Sequence, residues 1–397
     1  VRRLQLADAQ QGMDMTKPAP AYRALGLMSG TSRDGIDAAI IETDGEDWVR
    51  PGPSCFLPYE PELRHDLAQA VARARQGGFG VKTEMAAIEA RITTAHQNAV
   101  DKLLQKSCLA PDEIDLIGFH GHTLFHDPKN GLTWQIGDAG ALAQASQIDV
   151  VADFRSRDVA AGGEGAPLVP AYHRALFRTC ADDRLKDQVV AILNIGGVAN
   201  VTWLDLAPDH PDSADEARIM AFDCGPGNAL IDDWVWQSLG VSYDEGGRLA
   251  AAGRSDEGII KELMAHPFFA QPAPKSLDRD AFSLQSLKGL SAEDGAATLT
   301  DFTVRAIGKA RDHFPHPVDG WYVTGGGRHN GSLMRQLADH LAVPVKPVEQ
   351  IGWNGDVLEA EAFAYLAVRS KLDLPISWPQ TTGVPKAMSG GRLFPHS

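Results

Sequence analysis

Two short apolar runs, Leu25–Met28 and Ile36–Glu42, enclose the turn Ser29–Gly35, which holds two glycines and three hydroxyl residues. This composition predicts a tight strand–turn–strand, because small residues let backbone N–H groups face outward and let a ligand come close. Such a loop can cradle phosphate oxygens. Its carboxylate, Asp34, can hold Mg²⁺ directly or through water, since a hard cation prefers oxygen. A polar hairpin turn without a ligand explains the loop equally well when it is taken alone. The pattern returns in mid-chain, where Val189–Leu193 runs into Asn194–Asn200 and on to Val201–Leu204. A third glycine turn, Gly325–Asn330, follows the run Trp321–Thr324. Ligands of α/β folds sit at the carboxyl ends of strands. Three such turns together therefore predict a nucleotide between two domains. The hairpins would hold its phosphates, and the ledge Gly325, Gly326, Gly327 would leave room for ribose and base.

The 397 residues suffice for two or three domains with full cores. With 44% hydrophobic and 22% charged residues, the chain has ordinary globular composition. The 37 basic residues against 52 acidic ones give a net charge of −15, which argues against a nucleic-acid partner. Cys55, Cys108, Cys180 and Cys224 are scattered, so neither a disulfide framework nor a zinc site is expected, and a reducing cytoplasm fits. No apolar run is long enough to span a bilayer, so no membrane partner is expected. Residues 1–20 read as a disordered extension.

Strand-like and helix-like segments alternate, which predicts an α/β protein. Domain I is expected over residues 21–187 and domain II over 188–375, with a C-terminal tail at 376–397. The last helix, Leu358–Lys371, is expected to pack back on domain I. Arg155–Gly165 reads as a polar loop. The small residues around Glu164 suggest that it closes over a substrate.

Asp223, between a strand end and a helix start, is the candidate catalytic base; an Asp that only ties down the Gly-Pro-Gly turn after it is equally compatible. His120–Thr123 offers donors and acceptors suited to sugar hydroxyls, or histidines that merely cap a strand. Arg155 and Arg157, alternating with Asp153 and Asp158, suit two-point binding of a carboxylate, or form a solvated surface cluster. Glu359 and Glu361 open the last helix, where acids are common for electrostatic reasons alone. There is no Gly-x-x-x-x-Gly-Lys-[Ser/Thr] loop and no Gly-x-Gly-x-x-Gly after the first strand. The arrangement resembles the sugar kinase, Hsp70 and actin superfamily, which implies two RNase H-like (actin-type ATPase) domains with an interdomain active-site cleft.

Several strings are similar to the anhydro-N-acetylmuramic acid kinase family: GLMSGTSRDGID at 26–37, VVADFRSRDVAAGGEGAPLVP at 150–170, LNIGGVANVT at 193–202, FDCGPGNALIDDW at 222–234, PKSLDRDAF at 274–282 and VTGGG at 323–327. The resemblance implies an ATP- and Mg²⁺-dependent enzyme of peptidoglycan recycling. It would hydrolyse the anhydro ring of 1,6-anhydro-N-acetylmuramic acid and phosphorylate O6. It further implies Asp223 as the base that activates water, with Glu359 helping to hold the water or a hydroxyl. Gly30, Thr31, Ser32, Arg33, Asp34, Gly35, Ile36 and Asp37 would form the first phosphate loop, with Asp34 on the metal side. Asn194, Gly196, Gly197 and Asn200 would form the second, and Gly325, Gly326 and Gly327 would line the adenosine. His120, Thr123, Asp153, Arg155, Arg157 and Glu164 are the sugar-site candidates, the arginines because the substrate carries a lactyl carboxylate. A homodimer is a further expectation.

Five positions, at four places, depart from the family pattern. Arg33 stands where Leu is common, His122 and Glu164 each replace a common Gln, and Leu277–Asp278 replaces Thr-Gly. Two other readings stay open. One is an actin- or Hsp70-like ATPase switch; the other is a kinase of an ordinary sugar hydroxyl, in which Asp223 would deprotonate that hydroxyl directly.

Overall fold

A computed structural model describes residues 21–30, 32–180, 182, 185–207 and 218–397. The extension expected over 1–20 and the candidate Thr31 lie outside the described residues. Among those described, two sheets repeat one strand order. In the first, β1 (Tyr22–Ser29) pairs antiparallel with β2 (Gly35–Thr43), and β2 pairs antiparallel with β3 (Val49–Pro58). On its other side β1 pairs parallel with β4 (Leu116–Asp127). β4 also carries β5 (Leu132–Ile136) as an antiparallel hairpin and pairs parallel with β6 (Val150–Ala152). In the second sheet β7 (Val189–Ile195), β8 (Val198–Asp205) and β9 (Ile219–Pro226) form the antiparallel meander. β10 (Gly320–Thr324) then pairs parallel with β7, and β11 (Val345–Pro347) with β10. Three antiparallel strands followed by two parallel ones, twice over, is the duplicated RNase H-like order.

The runs that read as strands do so because the central strands are covered on both faces. Ala24, Leu25 and Leu27 of β1 are wholly buried, as are Val190 and Leu193 of β7. Helices Pro61–Gly77 and Ala86–Ser107 cover one face of the first sheet. Helix Leu358–Lys371 covers the other face, and it is buried almost all round. It lies so close because two glycines meet in register: Gly26 on β1 faces Gly118 on β4. A Cβ at Gly26 would stand 1.8 Å from the Ala360 carbonyl oxygen, and one at Gly118 would stand 2.0 Å from that of Phe363. This helix and Pro170–Arg178 build a core that joins the sheets, with Tyr172, Phe177, Phe363 and Tyr365 on one side and Ile192, Leu204 and Tyr322 on the other.

Several boundaries differ from the sequence reading. Within the C-terminal tail, β12 (Arg392–Phe394) pairs antiparallel with β6 as an edge strand. Asp223, read as lying past a strand end, is inside β9, which runs to Pro226: Cys224 bulges as the extra residue opposite Ala199–Asn200, and pairing resumes at Gly225. The loop after Arg155 contains the helix Ser156–Ala160. That loop is also tied down: buried Asp158 accepts from Gly165 N at 2.7 Å and from Thr382 Oγ1 at 2.7 Å, and Glu164 N donates to the Thr382 carbonyl at 2.6 Å.

Candidate active site

The antiparallel register of the second sheet sets Asn194, Asn200 and Asp223 side by side on three adjacent strands. Directly paired residues share a face, so two hairpins turn three distant positions into one polar row. All three line a cavity of about 290 Å³ between the sheets, which Thr324, Gly325 and Gly326 border on the same side. From the first sheet's side come Met28, Arg155, Glu359 and Asp356.

The backbone anchors Asp223. Its N–H donates to the Lys275 carbonyl at 2.9 Å, and its Oδ2 accepts from Leu277 N at 2.7 Å. Burial pushes its carboxyl up to about 7, the Leu277 N–H draws it down, and the charge of Glu164 raises it further. Opposite stands Glu359, raised by burial and lowered in turn by Arg155. Arg155 is itself fixed by a neutral imidazole. His120 Nδ1 bonds to the Gly121 carbonyl at 3.0 Å, which leaves Nε2 to accept from Arg155 Nε at 3.1 Å and Nη2 at 2.9 Å. Burial and the Arg155 charge hold His120 far below its usual pKa, so it stays neutral and accepts. Arg155 Nη1 donates to the Gly165 carbonyl at 2.7 Å. His120 thus orients the arginine and does not line the cavity itself.

The glycines of the loops divide into two kinds. A Cβ at Gly325 (φ 75°) would meet Asn194 Oδ1 at 2.3 Å, and one at Gly327 would meet Ile195 Cγ2 at 2.4 Å, so packing demands both. At Gly30, Gly196, Gly197 and Gly326 nothing lies closer than 3.6 Å to such a Cβ. Those four leave open a space that side chains would fill, as a phosphate cradle requires. The second loop is clasped by its neighbours: Asn228 N donates to the Gly196 carbonyl at 2.8 Å, and Gly227 N to that of Gly197 at 2.9 Å. In the first loop Ser32 Oγ donates to Asp34 Oδ1 at 2.7 Å, and Tyr59 N to the Asp34 carbonyl at 2.9 Å. Gly35 packs under Phe56, and Ile36 is core. Asp37 stands near the cleft, its carboxyl raised to about 7 by burial and then by the charges of Asp34, Glu359 and Asp356.

Besides His120, three more sugar-site candidates do not line this cavity. Arg157 donates to Ser389 Oγ at 2.8 Å on the surface. Asp153 is exposed and accepts from Ser156. Thr123 accepts from Gln135 Nε2 at 3.3 Å. Glu164 sits at the rim, where its Oε2 accepts from Ser276 Oγ at 2.6 Å. The sequence reading missed Arg328. This buried side chain lines the cavity and donates to Gly325 O at 2.9 Å, Glu349 Oε1 at 2.8 Å and Asp356 Oδ1 at 2.6 Å, so it ties the triglycine ledge to the segment before the last helix. Its place directly after Gly327 was the only available signal. Asn228, whose Nδ2 donates to the Ile195 carbonyl at 3.1 Å, was also missed.

Residues 22–396 match the protein family described as anhydro-N-acetylmuramic acid kinase. A curated protein of that name from Rhodospirillum rubrum is 46% identical over 386 residues, covering 96% of this chain and 97% of its own. One from Rhizorhabdus wittichii is 48% identical over 369 residues, covering 93% and 97%. Among solved structures, the ROK hexokinase from Thermus thermophilus aligns with 15% identity over 87% of this chain and 99% of its own, at a TM-score of 0.40. An activator of 2-hydroxyisocaproyl-CoA dehydratase from Clostridium difficile, with bound ADPNP, aligns with 13% identity over 87% and 94%, at 0.42. The strand order, not these loose alignments, defines the fold.

Proposed function

This chain belongs to the anhydro-N-acetylmuramic acid kinase family, and we propose that its cleft performs the reaction with Asp223 as the base. The reaction consumes ATP and 1,6-anhydro-N-acetylmuramic acid and yields N-acetylmuramic acid 6-phosphate, a step of peptidoglycan recycling assigned to the cytoplasm. O6 of the substrate is an ether oxygen with no proton to lose. It becomes a nucleophile only as C1–O6 breaks. Asp223 therefore takes a proton from water, the water oxygen bonds to C1, and O6 departs with its electron pair. O6 then attacks the γ-phosphorus in line and ADP leaves. A carboxylate held near pH 7 suits this task, because it is ionised yet basic enough to accept the proton.

Glu359, across the cavity, orients the water or a sugar hydroxyl. Arg155, set by His120, pairs with the lactyl carboxylate. Asn194 and Asn200 offer amides to the sugar and the transferring phosphoryl group, while the open glycines bring N–H groups to the phosphates. The donors of the first loop fit a hard cation: Asp34 presents a carboxylate, and Asp37 sits among like charges that a divalent ion would relieve. When bound, Mg²⁺ would neutralise charge on the β- and γ-phosphates.

The observation that carries this reading is the convergence of Asp223 with Glu359 and Arg155 in one cavity. Product mass tests it. Incubation with the anhydro sugar, ATP and Mg²⁺ is expected to give a product heavier by both water and a phosphoryl group. A gain of phosphoryl alone would make this a kinase of an ordinary hydroxyl. ATP turnover indifferent to sugar would make it an ATPase switch.

A further inference from the structure

The first loop carries a cation that this mechanism leaves idle. Arg33 sits at the tip of the turn with φ 55°, in the left-handed region that costs a non-glycine residue energy. Its N–H closes the turn on the Gly30 carbonyl at 3.1 Å. The side chain is half-buried, and no carboxylate pairs with its guanidinium among the described residues. The charges acting on it are all of its own sign: Arg279, Arg64 and Arg75.

Its neighbours are placed differently. Arg75 pairs with Asp280 at 2.7 Å, and Arg279 with Asp233 at 2.9 Å and Asp280 at 3.3 Å. Arg279 Nε also stands 4.0 Å from where a Cβ on Gly197 would be, so it sits against the second loop. Two arginines thus stand at the two hairpins, one of them unneutralised and partly desolvated beside like charges. That arrangement is unfavourable by itself and becomes favourable when a polyanion lies between them.

We propose that Arg33 binds the terminal phosphates of the nucleoside triphosphate from the first loop, facing Arg279 at the second. The ligand follows from the function proposed above, on which this assignment rests. A guanidinium offers two parallel N–H donors to a phosphate, which a leucine at the same place cannot.

Calorimetric titration of ATP, ADP and AMP into the wild-type protein, Arg33→Leu and Arg33→Lys tests it without sugar or turnover. Arg33→Leu is expected to weaken ATP about tenfold or more, ADP less, and AMP hardly at all, with Arg33→Lys recovering part of the loss. ATP binding within about twofold of wild type in Arg33→Leu would overturn the proposal. So would an equal loss for ATP and AMP, which would report a distorted loop. The two readings fail separately. Normal sugar product with unchanged ATP affinity in Arg33→Leu sinks only the role of Arg33. Selective ATP loss without sugar product sinks only the kinase reading. Wild-type protein that binds no ATP sinks both.

Discussion

The β1–β2 and β7–β8 hairpins occupy the same place in two sheets of the same order, yet they present different chemistry. The second is almost bare backbone: Gly196 and Gly197 face open space, and three N–H groups, those of Gly227, Asn228 and Ala229, hold their carbonyls. The first is rich in side chains, with Ser32, Arg33 and Asp34 at its tip and, among the described residues, fewer backbone ties. The two sheets give matching frames, and the residues at the two loops differ within them. One loop is a backbone turn clasped by its neighbours, proposed above as an amide cradle. The other is a charged arm, whose carboxylate and guanidinium carry the metal and phosphate roles proposed above. The sheets differ in the same sense. The second brings the proposed base, Asp223, from a strand, while the first reaches the cleft with Glu359, on a helix that follows the second sheet in the chain.

The largest effect is expected where this division is sharpest. Asp223→Asn should lower turnover about a thousandfold, the scale of a lost general base, while ATP binding stays near wild type. Wild-type kcat/KM should rise with pH and level off above about 7, since only the carboxylate accepts the proton. Stability should run the other way. A carboxyl raised from 3.8 to about 7 on folding binds its proton more tightly in the native state. Its stabilising contribution is therefore complete below the unfolded value and is lost as pH rises through the folded one. Asp223→Asn should melt above wild type at pH 8, with the gap closing toward pH 4. Thermal melts across that range check the sign, and turnover near normal in the variant would remove Asp223 from its role.

How far the sequence foretold these parts depends on distance along the chain. Asn194, Asn200 and Asp223 were legible one by one, as residues near glycine turns, while the register that sets them in one row was not read. Arg155 and Arg157 were read together as a two-point clamp. The backbone turns helical at Ser156, and residues two apart on a helix do not share a face. Arg155 therefore points to the cavity and Arg157 to Ser389. Arg328 was illegible for another reason: its acidic partners Glu349 and Asp356 lie in segments that only tertiary packing brings near. Gly26 and Gly118 belong with it, because nothing local says that a helix from residue 358 onward will lie on both.

The two kinds of glycine give a middle-sized test of the bare loop. Gly197→Ala meets nothing nearer than 3.6 Å, so its melting should match wild type to within about 0.5 kcal/mol. Its methyl group would still enter the cradle, and KM for ATP should rise about tenfold. At Gly227 the added Cβ would stand 2.3 Å from the Gly196 carbonyl oxygen, a backbone atom with little room to yield. Gly227→Ala should therefore cost about 2–3 kcal/mol in denaturant unfolding. If Gly197→Ala unfolds easily while leaving KM alone, the loop is held by packing and is not a cradle.

The smallest effect concerns the rim, where the two regions touch. Glu164 Oε2 accepts from Ser276 Oγ, and its charge helps to hold Asp223 high. Glutamine keeps an acceptor for Ser276 but removes the charge, so Glu164→Gln leaves the contact and alters only the field. Burial, not Glu164, is the largest cause of the raised carboxyl, so the change should be modest. The acid limb of the pH–rate profile should move to lower pH by less than about one unit, and the plateau should stay within about twofold. A limb that does not move would mean that solvent screens Glu164 from the base and that its link across the cleft is the Ser276 contact. A plateau that collapses would mean that the rim carboxylate itself meets the substrate.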